Sequence, residues 1–315
     1  MAKYLITGGT GLIGSALIKE LLKVTSNVVL CPVRNVSKAL SLFEPSDRLI
    51  LVNTELESYL SNLDEAVDYI VHCASPTASK FFVEHPVETL HFGISTTESI
   101  LKYAKSNPVK RVLYLSSLEV YGTVTDDSVA ITEDVQGYVD PLSVRSSYNM
   151  VKRVCESLCH AYNKEYNVPV VIARLTQTVS PCIEKNDVRV FAQFCRKAAS
   201  KESIELHTTG ESARQYVYID DAVSALLAIL HEGEPGEAYN VANESTYISA
   251  KDLAYFLQRK FNPDGRVLVK LQDGLGYAPT TKLKLDTTKL RKLGWIPRYN
   301  LEEMAESIIS VLRKK

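Results

Sequence analysis

The constraint that bears hardest on the fold lies at the start of the chain. A short apolar run, residues 3–7, is followed by Gly8-Gly9-Thr10-Gly11-Leu12-Ile13-Gly14 and then by a helical pattern from Ser15 to Lys23. A strand must stop at Gly8, turn through residues with little or no side chain, and restart as a helix. Glycines at 8, 11 and 14 in that context let the backbone approach an anionic pyrophosphate, whose charge the helix N-terminus stabilises. Gly8, Gly11, Leu12, Ile13 and Gly14 are therefore expected to hold the phosphates of a dinucleotide.

The alternation continues. A second strand over Asn27–Cys31 ends in Pro32-Val33-Arg34-Asn35, where an acidic side chain would accept from both ribose hydroxyls and select NAD. No carboxylate stands there, so Arg34 either pairs with a 2′-phosphate, favouring NADP, or is a solvated surface charge. Strands over 48–53 and 68–73 follow, with a helix near 55–63 between them. The second runs out through His72-Cys73-Ala74-Ser75-Pro76, whose small residues, Ala74 among them, let backbone pass beneath a cofactor, and His72 reads as structural. Pro86 opens a long helix to about Ala104. A buried strand over 111–122, a helix over about 144–166 and a strand from 169 to 174 complete a Rossmann-type doubly wound parallel sheet of α/β class. Beyond residue 175 short strands at 204–207, 215–218, 238–241 and 267–269 mix with helices near 188–199, 219–231, 249–260 and 301–313. This predicts a dinucleotide-binding domain over 1–175 and a smaller mixed substrate lobe over 176–315, interleaved with it.

Chemistry enters with Ser146-Ser147-Tyr148-Asn149-Met150-Val151-Lys152. Tyr148 and Lys152, four residues apart on a helix, share a face. A phenol near pKa ~10 is a poor base at neutral pH, but an ammonium beside it and a nicotinamide cation above it favour the phenolate. Tyr148 then becomes a proton acceptor for an alcohol or sugar hydroxyl during hydride transfer. Ser116 and Ser117, at the carboxyl end of their strand, are placed to meet it.

Composition excludes several classes. The 315 residues are 45% hydrophobic and 23% charged with a formal net charge of -1, which gives no electrostatic footprint for nucleic acid. No apolar run reaches the ~18 residues of a membrane span, the first residues enter a folded element at once, and the cytosol is the expected compartment. The 6 cysteines show neither a disulfide framework nor a metal-binding spacing; Cys155 and Cys159 read as buried reduced thiols, and no metal is expected.

The motifs TGGTGLIG (7–14), VHCAS (71–75), SSLEVYG (116–122), YNMVK (148–152), RQYVYIDDAV (214–223), YNVAN (239–243) and LGW (293–295) together resemble the extended short-chain dehydrogenase/reductase family of nucleotide-sugar epimerases, dehydratases and decarboxylases. The resemblance implies Tyr148 as base, Lys152 as its tuner and ribose ligand, and Ser117 as donor to the reacting oxygen. It implies Arg214 as a contact to the substrate diphosphate, a nucleotide-diphosphate sugar as ligand, and a homodimer built through two long helices. Within the family, CASP (73–76), RSSYNMVKRVCESLC (145–159) and NDVRVFAQF (186–194) are most similar to UDP-glucuronate decarboxylases. Arg189 either contacts substrate or is a surface charge, Glu119 is either a C5 base or a buried hydrogen-bonded carboxylate, and Trp295 is a packing anchor. The chain departs from the family pattern at Leu118, where a polar or acidic residue is usual, at Phe92 in place of asparagine, and at 177–181 in place of N-x-Y-G-P. Leu118 cannot protonate a C6 hydroxyl, so the expected order is 4-epimerase chemistry through a transient 4-keto sugar, then decarboxylation or 4,6-dehydration. An NADPH-dependent ketone reductase and a non-catalytic cofactor-holding protein are the remaining alternatives.

Overall fold

Apolar runs bounded by turns become strands buried on both faces, which is what a parallel sheet covered by helices on each side requires. The computed structural model describes residues 1–183, 187–272 and 280–314. β1 (Lys3–Thr7) leads into α1 (Leu12–Leu22), β2 (Val28–Val33) into the short α2 (Val36–Leu40), and β3 (Leu49–Asn53) into α3 (Leu56–Ser61). β4 (Tyr69–His72) precedes α4 (Ser79–Glu84) and the long α5 (Pro86–Ser106). β5 (Arg111–Ser117) ends in a 3-10 turn, Leu118–Tyr121; α6 (Ser147–Tyr166) is entered through another, Val144–Ser146, and leads to β6 (Val170–Leu175). Then come β7 (Gln177–Val179), α7 (Val190–Ala199), β8 (Ile204–Leu206), β9 (Ala213–Tyr218), α8 (Ile219–Glu232), β10 (Ala238–Val241) and β11 (Asn243–Ser249). α9 (Ala250–Phe261), β12 (Val267–Val269), β13 (Lys282–Leu283), α10 (Thr288–Arg291) and α11 (Leu301–Arg313) complete the chain.

The central sheet has 7 strands in the order β10-β6-β5-β4-β1-β2-β3, every pair parallel. Strand order reverses at β1, between β2 and β4, and that topological switch opens the crevice in which such sheets bind ligands. One face carries α5 and α6 over a core that includes Leu5, Ile70, Ile100, Val112, Val151 and Cys155. The other carries α1 and α8 over Ile6, Leu17, Ile18, Leu113, Leu226 and Ile229. In α6 the buried positions Tyr148, Val151, Lys152, Cys155 and Cys159 recur at helical spacing, and the helix stops at Asn167 in the left-handed region (φ 57°). All 6 cysteines are free thiols.

Three expectations from sequence are corrected. The strand at 238–241 does not belong to the lobe: β10 pairs with β6 from Ala238↔Ile172 to Val241↔Leu175 and extends the central sheet. α8 packs on the same sheet, so the sheet draws on both sides of residue 175. The strand expected over 111–122 stops at Ser117, whose side chain accepts from the Glu119 N–H and turns the chain into the 3-10 segment. The helix expected from 144 begins at Ser147, after that separate 3-10 turn. Of the smaller sheet, β11-β9-β13 with β7 beside β9, only β9 is expected from sequence, as the strand at 215–218. Among the described residues no helix is long and apolar enough to cross a membrane.

Candidate active site

The glycine turn at the carboxyl ends of β1 and β4 has the geometry an anion-binding loop requires. Gly8 has φ +69°, and a Cβ there would lie 2.7 Å from the Ala74 nitrogen, so only glycine lets the first turn sit against the end of β4. A Cβ on Gly14 would lie 2.4 Å from the Gly8 oxygen, so the helix can also approach its own turn. Gly11 caps α1 with no side-chain acceptor, which leaves the first-turn N–H groups, Leu12 and Ile13 included, to an outside acceptor. These residues fit a dinucleotide pyrophosphate, with Gly8, Gly11, Leu12, Ile13, Gly14 and Ala74 as its cradle. His72 belongs to the scaffold: its Nδ1 lies 2.7 Å from Thr7 Oγ1 and its Nε2 3.4 Å from Thr96 Oγ1. Thr7 Oγ1 also accepts from the Ala74 N–H at 3.3 Å. Burial, then the Lys152 charge, pulls the His72 pKa down to about 3 and keeps the ring neutral.

β5 and α6 bring Ser117, Tyr148 and Lys152 together. The Tyr148 phenol is only 8% exposed and lies beside Ser117, whose hydroxyl favours its ionised form. Phe82 of α4 stacks on its ring, 4.2 Å between centroids and 10° from parallel. The Lys152 ammonium donates to the Leu115 carbonyl at 2.7 Å and lies 5.7 Å from the Tyr148 ring centroid. Burial pulls the lysine pKa to about 8, against the raising influence of Cys155, Glu156 and the nearby thiols. The expected tuning of Tyr148 toward phenolate draws on two cations, Lys152 and a nicotinamide ring, of which the chain itself supplies only the first. Burial pushes the Tyr148 pKa up to about 12, and the nearby Ser117 hydroxyl offsets only part of that. The protein supplies a protonated phenol in a dry site, and a further cation above it is needed to make it an acceptor.

Glu119 is neither free nor fully buried. Its Oε1 accepts from Arg145 Nη2 at 3.2 Å, and its Oε2 from Asn149 Nδ2 at 3.1 Å; the same amide donates to the Glu119 carbonyl at 2.7 Å. Arg145 also lies over the Phe82 ring, 5.4 Å from its centroid. Leu118 turns the other way, into an apolar cluster with Tyr121, Ile131 and Leu285.

The arginines divide. Arg189 donates to both oxygens of Asp187 and to the Thr178 carbonyl, so its charge is already matched. Burial works to raise the Asp187 pKa, but the Arg189 guanidinium and backbone N–H outweigh it and hold the carboxyl low. Asn186, the first residue of the 186–194 motif, lies outside the described residues. Arg214, half-buried on β9, has no partner among the described residues, and neither has the exposed Arg34 apart from the Phe92 ring. Several motif residues prove to be scaffold. Arg174 pairs with Glu156 and reaches the Tyr121 hydroxyl, which donates to Asn240 at 2.5 Å. Asp221 accepts the Arg298 and Tyr299 N–H groups, and Trp295 donates to the Asp221 carbonyl. Sequence reasoning missed Phe82, Arg145 and Asn149. Only the last two carried a signal, the four-residue spacing of Arg145 and Asn149 on either side of Tyr148.

The comparisons agree with this geometry. Residues 4–242 match the NAD dependent epimerase/dehydratase family. UDP-glucuronic acid decarboxylase 6 of Arabidopsis thaliana is 30% identical over 96% of this chain and 86% of that protein. Among solved structures, UDP-glucose 4-epimerase of Thermotoga maritima superposes with a TM-score of 0.85 at 22% identity, covering 99% of each chain. UDP-glucuronic acid 4-epimerase of Bacillus cereus, solved with UDP-glucuronic acid and NAD, gives 0.81 at 22% identity over 99% of each. None of these relatives favours the ketone reductase or the non-catalytic reading. The fold, the glycine cradle and the family match agree: this chain belongs to the NAD-dependent epimerase/dehydratase family.

Proposed function

We propose that the chain is a nucleotide-sugar 4-epimerase acting through a transient 4-keto sugar. The observation that carries this reading is the contrast inside one pocket: Tyr148 is buried beside Ser117, while the Glu119 carboxylate is tied to Arg145 and Asn149. Oxidation at C4 needs only the first pair. Bound in the crevice, the dinucleotide supplies the hydride acceptor and a positive ring. Ser117 orients the C4 hydroxyl, Tyr148 takes its proton as the hydride leaves C4, and Lys152 holds α6 against β5 and offers its remaining N–H bonds to a ribose. Return of hydride and proton to the other face of the sugar gives the epimer with no further acid or base. Elimination toward a 4,6-dehydrated product would require Glu119 to leave two donors and a proton source where Leu118 is buried. Arg214 meets the diphosphate, and the exposed Arg34 favours NADP over NAD. Two copies pairing through α5 and α6 form the expected dimer, which light scattering tests.

Decarboxylation of a UDP-uronate is the second reading. It is favoured by the 30% identity to decarboxylases from Arabidopsis thaliana and Xenopus tropicalis over nearly the whole chain. A carboxylate beta to a ketone departs without a base, so the engaged Glu119 does not bar it. Incubation with UDP-glucuronate, followed by NMR of the sugar and a carbon dioxide assay, separates the two. A C4 epimer with the carboxylate retained supports the first reading, and carbon dioxide with a UDP-pentose replaces it by the second. A panel of UDP-, dTDP-, GDP- and CDP-sugars then defines the base.

A further inference from the structure

The groups assigned to proton transfer sit on separate pieces of chain. Ser117 ends β5 and runs into the 3-10 turn Leu118–Tyr121, whereas Tyr148 and Lys152 lie on α6. Their separation is fixed only as well as that turn is fixed to the helix. Three ties join the two. Asn149 Nδ2 donates to the Glu119 carbonyl and Arg153 Nε to the Val120 carbonyl, each at 2.7 Å; both pairs are part-buried, where water competes for the same bonds. The third tie is dry and indirect. Tyr148, Lys152 and Glu156 recur every fourth residue along the buried face of α6, and Glu156 meets Arg174 of β6. Arg174 Nε donates to both Glu156 oxygens, at 3.0 and 3.2 Å, and Nη2 to one of them at 2.7 Å. Its Nη1 donates instead to the Tyr121 hydroxyl at 3.0 Å and to the Glu133 carbonyl at 2.6 Å. Tyr121 is fully buried, and its own hydroxyl donates to Asn240 of β10. The Arg174 backbone stands opposite Ser116 in the β5–β6 register, one residue from Ser117.

A buried ion pair is weak ground for stability, because apolar side chains of similar volume often fill such a site equally well. Apolar side chains do not hold two elements at one distance and one orientation, which a planar guanidinium with donors on both edges does. We propose that Arg174 is a positioning residue for proton transfer, clamping α6 through Glu156 and the turn after Ser117 through Tyr121, so that the serine and tyrosine hydroxyls converge on one sugar oxygen. The proposal rests on the reading of Ser117 and Tyr148 as the reacting pair. Its effect falls on the reaction step and not on ligand affinity, because Arg174, Glu156 and Tyr121 bond to each other and to protein groups.

Two variants separate positioning from support. The Glu156→Leu/Arg174→Met double variant removes both charges and keeps much of the volume, so its urea midpoint should stay near that of the wild type. Tyr121→Phe removes one hydroxyl and cuts only the branch to the turn, leaving the ion pair in place. In both, kcat on the nucleotide sugar should fall about 10- to 100-fold, the size of a misplacement of about 1 Å, while KM stays within about twofold. Carbon-13 NMR of protein labelled at tyrosine Cζ, with the Tyr148 signal assigned through Tyr148→Phe, reads the same displacement without turnover: that signal should shift in both variants. Wild-type kcat with an unmoved Tyr148 signal in either variant overturns the proposal, as does a rise in KM as large as the fall in kcat. If the double variant does not fold, Tyr121→Phe decides. If the wild type turns over no nucleotide sugar, the proposed reaction fails by itself, and the Tyr148 signal still decides whether Arg174 positions that residue.

Discussion

The packed seam of β5 and α6 and the outer positions of Arg34, after β2, and Arg214, on β9, treat charge in opposite ways. In the seam, Lys152 is 4% exposed and bonded to a carbonyl, and Glu119 is bonded to Arg145 and Asn149. At the outer positions, the guanidinium N–H groups of Arg34 and Arg214 have no protein acceptor among the described residues. Burial sets proton affinities in the seam, moving Tyr148 up and Lys152 down. The guanidiniums of Arg34 and Arg214 are left available to an incoming anion. On the proposed reading, reaction type rests on the packed interior, and ligand identity on a few side chains that can change without disturbing it.

The largest test of this division is Tyr148→Phe. It keeps the stack with Phe82 and removes only the proton acceptor, so turnover should fall by ~100-fold or more while the unfolding midpoint barely moves. A comparable loss of stability would mean that the hydroxyl is structural. Next comes Phe82→Ala, expected to cost about 3 kcal/mol in urea unfolding because a ring 2% exposed is removed from a filled site. Its neighbour Val83, 51% exposed, should lose under about 0.5 kcal/mol when cut to alanine. Equal effects would erase the distinction between the two sides of α4.

Acid probes the packed interior in another way. The His72 pKa of about 3 lies below the ~6.5 of an unfolded histidine, so the unfolded chain takes up a proton that the folded one refuses. Stability should therefore fall as pH drops through the window from ~6.5 to about 3, by on the order of 2 kcal/mol at pH ~5. Urea midpoints at neutral and acid pH should show this slope in the wild type and a flatter one in His72→Gln. The smallest effect belongs to the outer positions. Arg214→Met should raise KM for the nucleotide sugar about tenfold with kcat nearly unchanged, the signature of lost uniform binding. Arg189→Met should instead destabilise the fold by uncovering Asp187, and a KM effect there as large as that of Arg214 would show that the ion pair opens for substrate.

Legibility in the sequence followed the same line. The strands and helices through residue 175 were readable because parallel strands are continuous apolar runs and the glycine turn has no other economical explanation. Tyr148, Lys152 and Ser117 could be paired because two share a helix and the third ends a strand. Phe82 could not, since α4 is a short helix whose contact with Tyr148 depends on tertiary packing alone. Nor could the state of Tyr148, because desolvation is a property of everything around a group. Arg189 and Arg214 looked equivalent in sequence. Asp187, two residues from the first, becomes its partner only through the turn that precedes α7.

The last strand of the central sheet has a consequence for biosynthesis. β6 leaves the ribosome long before residues 238–241, and until they arrive its backbone is an open hydrogen-bonding edge on a fully buried, apolar strand. A chain halted near residue 175 would carry the dinucleotide cradle, Ser117, Tyr148 and Lys152, yet lack the segment that closes this edge. Such a fragment should associate with itself instead of binding nucleotide, and the complete chain should gain its cradle only late, when a distant segment pairs with a strand that has been waiting for it.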